Sequence, residues 1–416
     1  MGRRGRTIGR PAFPSYSPAR TEPPMTDTFT TLEQIQETEG AKATLQRLAE
    51  VLTEEQNYHK LFDVLLMQKK FELGLPLVQP TSFDDVGEEH RVTFEQHYVE
   101  SAREVGNLLI EQGKLGDAWV YFQTIREPAP VREALDQVAV GADFDDRCEE
   151  LINVALYEGA HPVKGLELML ASHGTCNTIT ALDQQIMQLP EDDRRQAAAL
   201  LVRQIYGDLC HTLNHEISQR IPLVSPSENL RELISGDRDW LFSEGNYHID
   251  VSHLNAVVRF ARSLKADDPE LSSAVELAEY GSRLDAQFQY AAEPPFDDFY
   301  PAHAHFFRAL LDDGRDEAIA YFQGKLETAA DEEDKQMIAY VMVDLLGRID
   351  LEEQAINLAS QHLAHVDESS GFSFAEFCHT ADRLDLLRDA ARGRGDLVTW
   401  TAAMLGDATA TAASND

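Results

Sequence analysis

Apolar residues recur every three or four positions along most of this chain, and alternating β-branched runs are nearly absent. "TLQRLAEVL" carries Leu45, Leu48 and Leu52, and "YHKLFDVLLMQKKFEL" carries Leu61, Val64, Leu65 and Phe71. "VSHLNAVVRFARSL", "AHAHFFRALL" and "EEQAINLASQHL" repeat the pattern downstream. A period near 3.6 makes each segment a helix with one apolar stripe, and that stripe must be buried against a neighbour. Gly-, Pro- and acid-rich breaks such as "REPAPV", "AAEPPFDDFYP" and "DESSGF" separate the helices. The expected fold is all-α: antiparallel helical hairpins forming an α-solenoid or irregular helical array.

The pattern begins near residue 31. Residues 1–24 are rich in Pro, Gly, Ser and Arg, with no apolar run behind the arginines. They read as a disordered basic segment rather than a secretory signal, and Met25 reads as the true start. A helical repeat region is expected over 25–220, a connecting segment over 221–247, a second repeat region over 248–405, and a small, polar, disordered tail over 406–416. The net charge of −36 becomes −40 once residues 1–24 are set aside, since they hold five arginines and one glutamate. Such a surface repels phosphate backbones and anionic membranes, which argues against a nucleic-acid or membrane partner and permits a basic protein or peptide. No apolar stretch is long enough for a membrane span. The cysteines Cys148, Cys176, Cys210 and Cys378 form no CxxC pair, so a reducing cytoplasm is the expected setting.

"VGNLLIEQGKLGDAWVYFQTIREPAP" resembles a tetratricopeptide repeat, a pair of antiparallel helices with a period of about 34 residues. Val105 and Gly106 stand at its Leu-Gly positions, Leu109 at its Tyr, Gly113 at the turn, and Ala118 and Phe122 at the small and aromatic positions of the second helix. Ile125 follows where a small residue is usual, Pro130 closes the repeat, and Ala102 replaces the usual tryptophan. "LLDDGRDEAIAYFQGKL" is a partial copy through Gly314, Ala318 and Phe322, with a turn one residue shorter, and "LLGRIDLEEQAINLAS" around Gly347 is a third. Gly106 and Ala118 are expected to let the two helices approach, with Phe122 filling space toward the next repeat. The resemblance implies a concave surface that holds a protein or peptide. No cofactor is expected with that reading.

One stretch offers a different chemistry. "DLCHTLNHE" places Asp208, His211 and His215 at i, i+3 and i+7. At about 100° per residue they share one face, opposite the apolar face of Val202, Ile205, Leu209, Leu213 and Ile217. A carboxylate and two imidazoles in that register can take a divalent transition metal, given a further ligand from another element. "NYHIDVSHLN" offers His248, Asp250 and His253, although Asp250 also reads as a helix cap. "PAHAHFF" offers His303 and His305, which diverge by about 200° on a helix. His173 and Cys176 in "ASHGTCNTIT" could form a Cys–His pair, but Gly174 reads as a helix stop. No P-loop, GxGxxG, GxSxG or EF-hand loop is present. The expected function is a non-enzymatic helical scaffold that binds a protein or peptide. The alternative is a metal-dependent hydrolase or related enzyme with Asp208, His211 and His215 as ligands.

Overall fold

The computed structural model describes residues 25–141, 145–290, 292–366 and 372–413. The basic segment expected over 1–24 lies outside them, as do residues 414–416. The fold is all-α: nineteen α-helices with short 3-10 and π turns, and no strand among the described residues. No described helix is long and apolar enough to cross a membrane. The chain divides into two compact units, Met1–Ala134 and Leu135–Asp416.

Unit 1 contains α1 (Met25–Thr38), α2 (Ala41–Glu54), α3 (Tyr58–Glu72), α4 (Glu88–Glu111) and α5 (Leu115–Thr124), with α6 (Ala129–Asp136) spanning the division. Each of α1 to α5 packs on its sequence neighbour. Val105, Leu109, Ala118 and Phe122 are fully buried, as a hairpin core requires. Gly106 has a more local role than expected. A Cβ there would lie 2.5 Å from the Phe122 ring, so the missing side chain seats that ring within its own hairpin. Burying such a ring contributes about 2–3 kcal/mol. The long break between α3 and α4 is latched by Lys70, whose buried ammonium donates to the Gln79 carbonyl and the Asp85 carboxylate, both at 2.7 Å.

Unit 2 follows with α7 (Asp146–Ile152), α8 (Pro162–Gln185), α9 (Glu191–Arg220), α10 (Leu230–Ile234), α11 (Val251–Phe260), α12 (Glu270–Ser282), α13 (Phe299–Leu310), α14 (Arg315–Thr328) and α15 (Glu332–Arg348). It ends with α16 (Glu352–His362), α17 (Phe374–Thr380), α18 (Leu384–Arg394) and α19 (Leu397–Ala413). The backbone is therefore helical well into the expected tail. The central strut is α9, which packs against α8, α10, α11 and α12 and buries Val202, Ile205, Leu209, Leu213 and Ile217. The expected break at 221–247 lies inside this unit. Asn214 exchanges hydrogen bonds with the backbone of Ser227, and the Tyr206 hydroxyl accepts from the Leu230 N–H, so the segment is stitched onto α9.

One turn recurs in both units. At the ends of α2, α4, α15 and α17 the backbone enters the left-handed region at Gln56, Gly113, Asp350 and Asp382. The following N–H then reaches five residues back: Asn57 to Leu52, Lys114 to Leu109, Leu351 to Leu346 and Arg383 to Cys378, at 2.8–3.0 Å. This is a Schellman stop whose last residue also caps the next helix. The turn into α14 differs: Asp312 occupies the left-handed stop, and Gly314 comes later as the cap. Gly314 and Gly113 are thus not equivalent, and this turn is one residue longer than the others when counted from the stop. Ala318 and Phe322 are nonetheless fully buried. Gly347 sits within α15 with open space where a Cβ would be, so the third copy turns at Asp350.

Candidate functional site

The Asp208 face of α9 has the phase read from the sequence, but its members part company. Asp208 is half-buried and accepts from the Gln204 amide at 3.0 and 2.9 Å. With Gln204 it lines a groove of about 590 Å³ whose opposite wall is α8, through Glu167, Leu170, Ala171 and Gly174. His211 and His215 are exposed, line no part of that groove, and His215 Nε2 meets the Gln219 amide at 2.8 Å. No other element completes the set: among the described residues no group of three or more His, Cys, Asp or Glu is arranged to hold an ion.

Most of the remaining sequence candidates have structural partners. Asp250 caps α11, accepting from the N–H groups of Ser252 and His253. His248 is buried between the Glu216 carboxylate and the Tyr280 hydroxyl, 3.0 Å from each, and burial holds its pKa below the usual imidazole value against the pull of Glu216. His303 is buried against Phe296 and accepts no charge: burial, with Arg262 nearby, pushes it down to about 3. His305 stacks on Tyr321, with ring centres 4.3 Å apart. Gly174 leaves helical geometry at φ 79° and splits α8, which is the expected stop. His173 lies 2.8 Å from Ser172 and 3.4 Å from Glu149, and Cys176 is exposed. Burial pushes the thiols of Cys210 and Cys378 up to about 11, which disfavours the nucleophilic thiolate.

A second cavity, of about 830 Å³, lies elsewhere in unit 2. Its walls come from the turn before α9, the N-terminal end of α9, the end of α11 and the segment after it, α13 and α15. Five basic residues line it: Arg194, Arg259, Arg262, Lys265 and Arg348. Three are already engaged. Arg259 pairs with Asp183 at 2.6 Å, and Lys265 with Glu191 at 2.8 Å. Arg348 pairs with Asp344 at 3.4 Å and donates to the backbone carbonyls of Arg262 and Leu264. Arg194 and Arg262 have no ion pair or side-chain hydrogen bond among the described residues.

Arg262 is half-buried, and its guanidinium carbon lies 4.8 Å from the Phe296 ring centre. Burial holds its pKa below the ordinary arginine value, with Arg259 adding to the effect and Asp344 opposing it. Arginine stays charged regardless, so the site carries a partly desolvated cation with no carboxylate in ion-pair contact. Phe260, Phe306, Leu310 and Val341 supply apolar wall beside it. Sequence inspection missed this cavity because its cations are spread over more than 150 positions from Arg194 to Arg348 and follow no local pattern. The legible signal was weaker: "VVRFARSLK" is a basic run in a strongly acidic chain. Comparison of the chain with protein-family models, with curated proteins and with solved structures gave no match.

Proposed function

We propose that this chain is a non-enzymatic helical scaffold of tetratricopeptide-like hairpins, arranged as an α-solenoid, that binds a protein or peptide. The observation that carries this reading is the free apolar stripe on α19. Leu397, Val398, Met404 and Leu405 are 76, 81, 38 and 55% exposed. At about 100° per residue they fall with Thr401 within a 120° arc. The opposite side, through Ala403, is buried, and α19 packs on α18. A contiguous exposed stripe of this kind marks an interaction face, and a partner helix with its own apolar stripe fits it. The recurring turn supports the repeat reading, because it sets consecutive helices antiparallel at one short spacing. Four free cysteines, three of them buried, agree with a cytoplasmic setting.

Affinity capture with in-cell cross-linking tests the proposal. Wild type is expected to yield a partner cross-linked beside α19, or a second copy of the chain. Val398→Glu/Leu405→Glu should lose it with helicity and melting temperature unchanged. A partner set identical for wild type and variant, or no partner for either, overturns the reading.

A further inference from the structure

We propose that the 830 Å³ cavity of unit 2 binds a compact amphipathic anion: one oxyanion head, carboxylate or phosphate, on a short apolar body. Its size lies within the range of small-molecule sites, about 300–1,000 Å³. The head is assigned by the two guanidinia left over. In a chain of net charge −36, carboxylates are abundant, yet Arg194 and Arg262 face the cavity without a contact ion pair, Glu191 and Asp344 acting on them only at longer range, while Arg259, Lys265 and Arg348 are paired. A half-buried guanidinium with no acceptor has lost hydration without compensation, and an entering oxyanion restores it through a forked, charge-assisted contact.

The site is also held in advance. Arg262 lies on the Phe296 ring, and Arg348 grips the carbonyls of Arg262 and Leu264, so the turn after α11 is fixed before any ligand arrives. A pre-set fork loses little freedom on binding. The body is assigned by the wall: Phe260, Phe306, Leu310 and Val341 inside, with Ile186 and Met187 also lining, and Met187 81% exposed. The same surroundings limit the ligand's charge. Glu191, Asp267, Asp344 and Asp350 share the lining, and the whole chain repels polyanions, so a nucleic acid or a strongly acidic segment is disfavoured while a head of one or two charges fits two free arginines.

Isothermal titration of the full chain with octanoate, octyl phosphate, octanol and inorganic phosphate tests this. Octanoate or octyl phosphate should bind, and the tighter of the two identifies the head. Octanol and inorganic phosphate should each bind at least about tenfold more weakly, since one lacks the charge and the other the body. Arg262→Gln and Arg194→Gln should each weaken the anion about tenfold or more. Should Arg262→Gln fail to fold, Arg194→Gln decides. The proposal is overturned if neither amphiphile binds, if octanol binds as well as the anions, or if binding survives both arginine variants. Binding that survives them and is lost in Val398→Glu would belong to the α19 stripe instead.

Discussion

The two ends of α9 make an instructive pair. Near its C-terminus, Asp208, His211 and His215 have ligating chemistry in ligating register, and only Asp208 meets another helix. Near its N-terminus, Arg194 belongs to no motif, yet it shares a cavity with Arg262 and Arg348 from far along the chain. A register on one helix says which side chains can meet each other. It does not say whether anything stands opposite. A site needs walls from several elements, and those are supplied by tertiary packing.

The difference can be broken most severely through the helices behind the cavity. A Cβ on Gly281 of α12 would lie 2.2 Å from the Tyr300 ring of α13. Gly281→Val should therefore destabilise unit 2 by about 3 kcal/mol, read as a lowered urea midpoint, and should abolish anion binding. A midpoint within error of wild type would show that the α12–α13 contact is not what supports the cavity. Next comes Arg348→Met, which leaves the carbonyls of Arg262 and Leu264 without their donor; a loss of about 2 kcal/mol is expected.

A smaller, graded effect comes from pH. The His303 pKa is pushed below its unfolded value, to about 3, so the folded state favours the neutral ring. Its contribution is complete above about pH 6.5 and is lost progressively as pH falls toward about 3, because the unfolded chain takes up the proton first. His248, also lowered by burial, acts in the same direction. His303→Leu should flatten the stability–pH slope in that window by up to about 1.4 kcal/mol per pH unit. An unchanged slope would remove His303 from the account. The smallest effect belongs to the other end of α9. His211→Ala/His215→Ala should change stability by less than about 0.5 kcal/mol, and bound metal measured by plasma mass spectrometry should be the same before and after. Stoichiometric metal lost in the double variant would favour the enzyme alternative.

Much of the fold was legible in the sequence, and the reasons are local. The apolar phase of α9 follows from helical geometry alone, and its five predicted core residues are buried. Asp250 and Gly174 follow from capping chemistry. The recurring hairpin was found only where glycine advertised it. Gln56, Asp350 and Asp382 adopt the same left-handed stop without a glycine, because the hydrogen bond back to the preceding helix and the next helix's packing hold them there. Gly314 misled for the converse reason: a left-handed glycine two residues past the stop resembles the stop itself. The cavity was illegible because pairing decides it. Five basic residues line it, and which two are left without an ion-pair contact depends on where Asp183, Glu191 and Asp344 fall in space.

Hydrogen exchange with and without octanoate compares the two ends of α9 in one experiment. The expected result is slowed exchange over residues 259–265 and 340–348, with no change over 208–216. Slowed exchange over 208–216 alone, or no change anywhere at saturating octanoate, would contradict the claim that recognition of small ligands lies at the arginine cavity rather than at the histidine face.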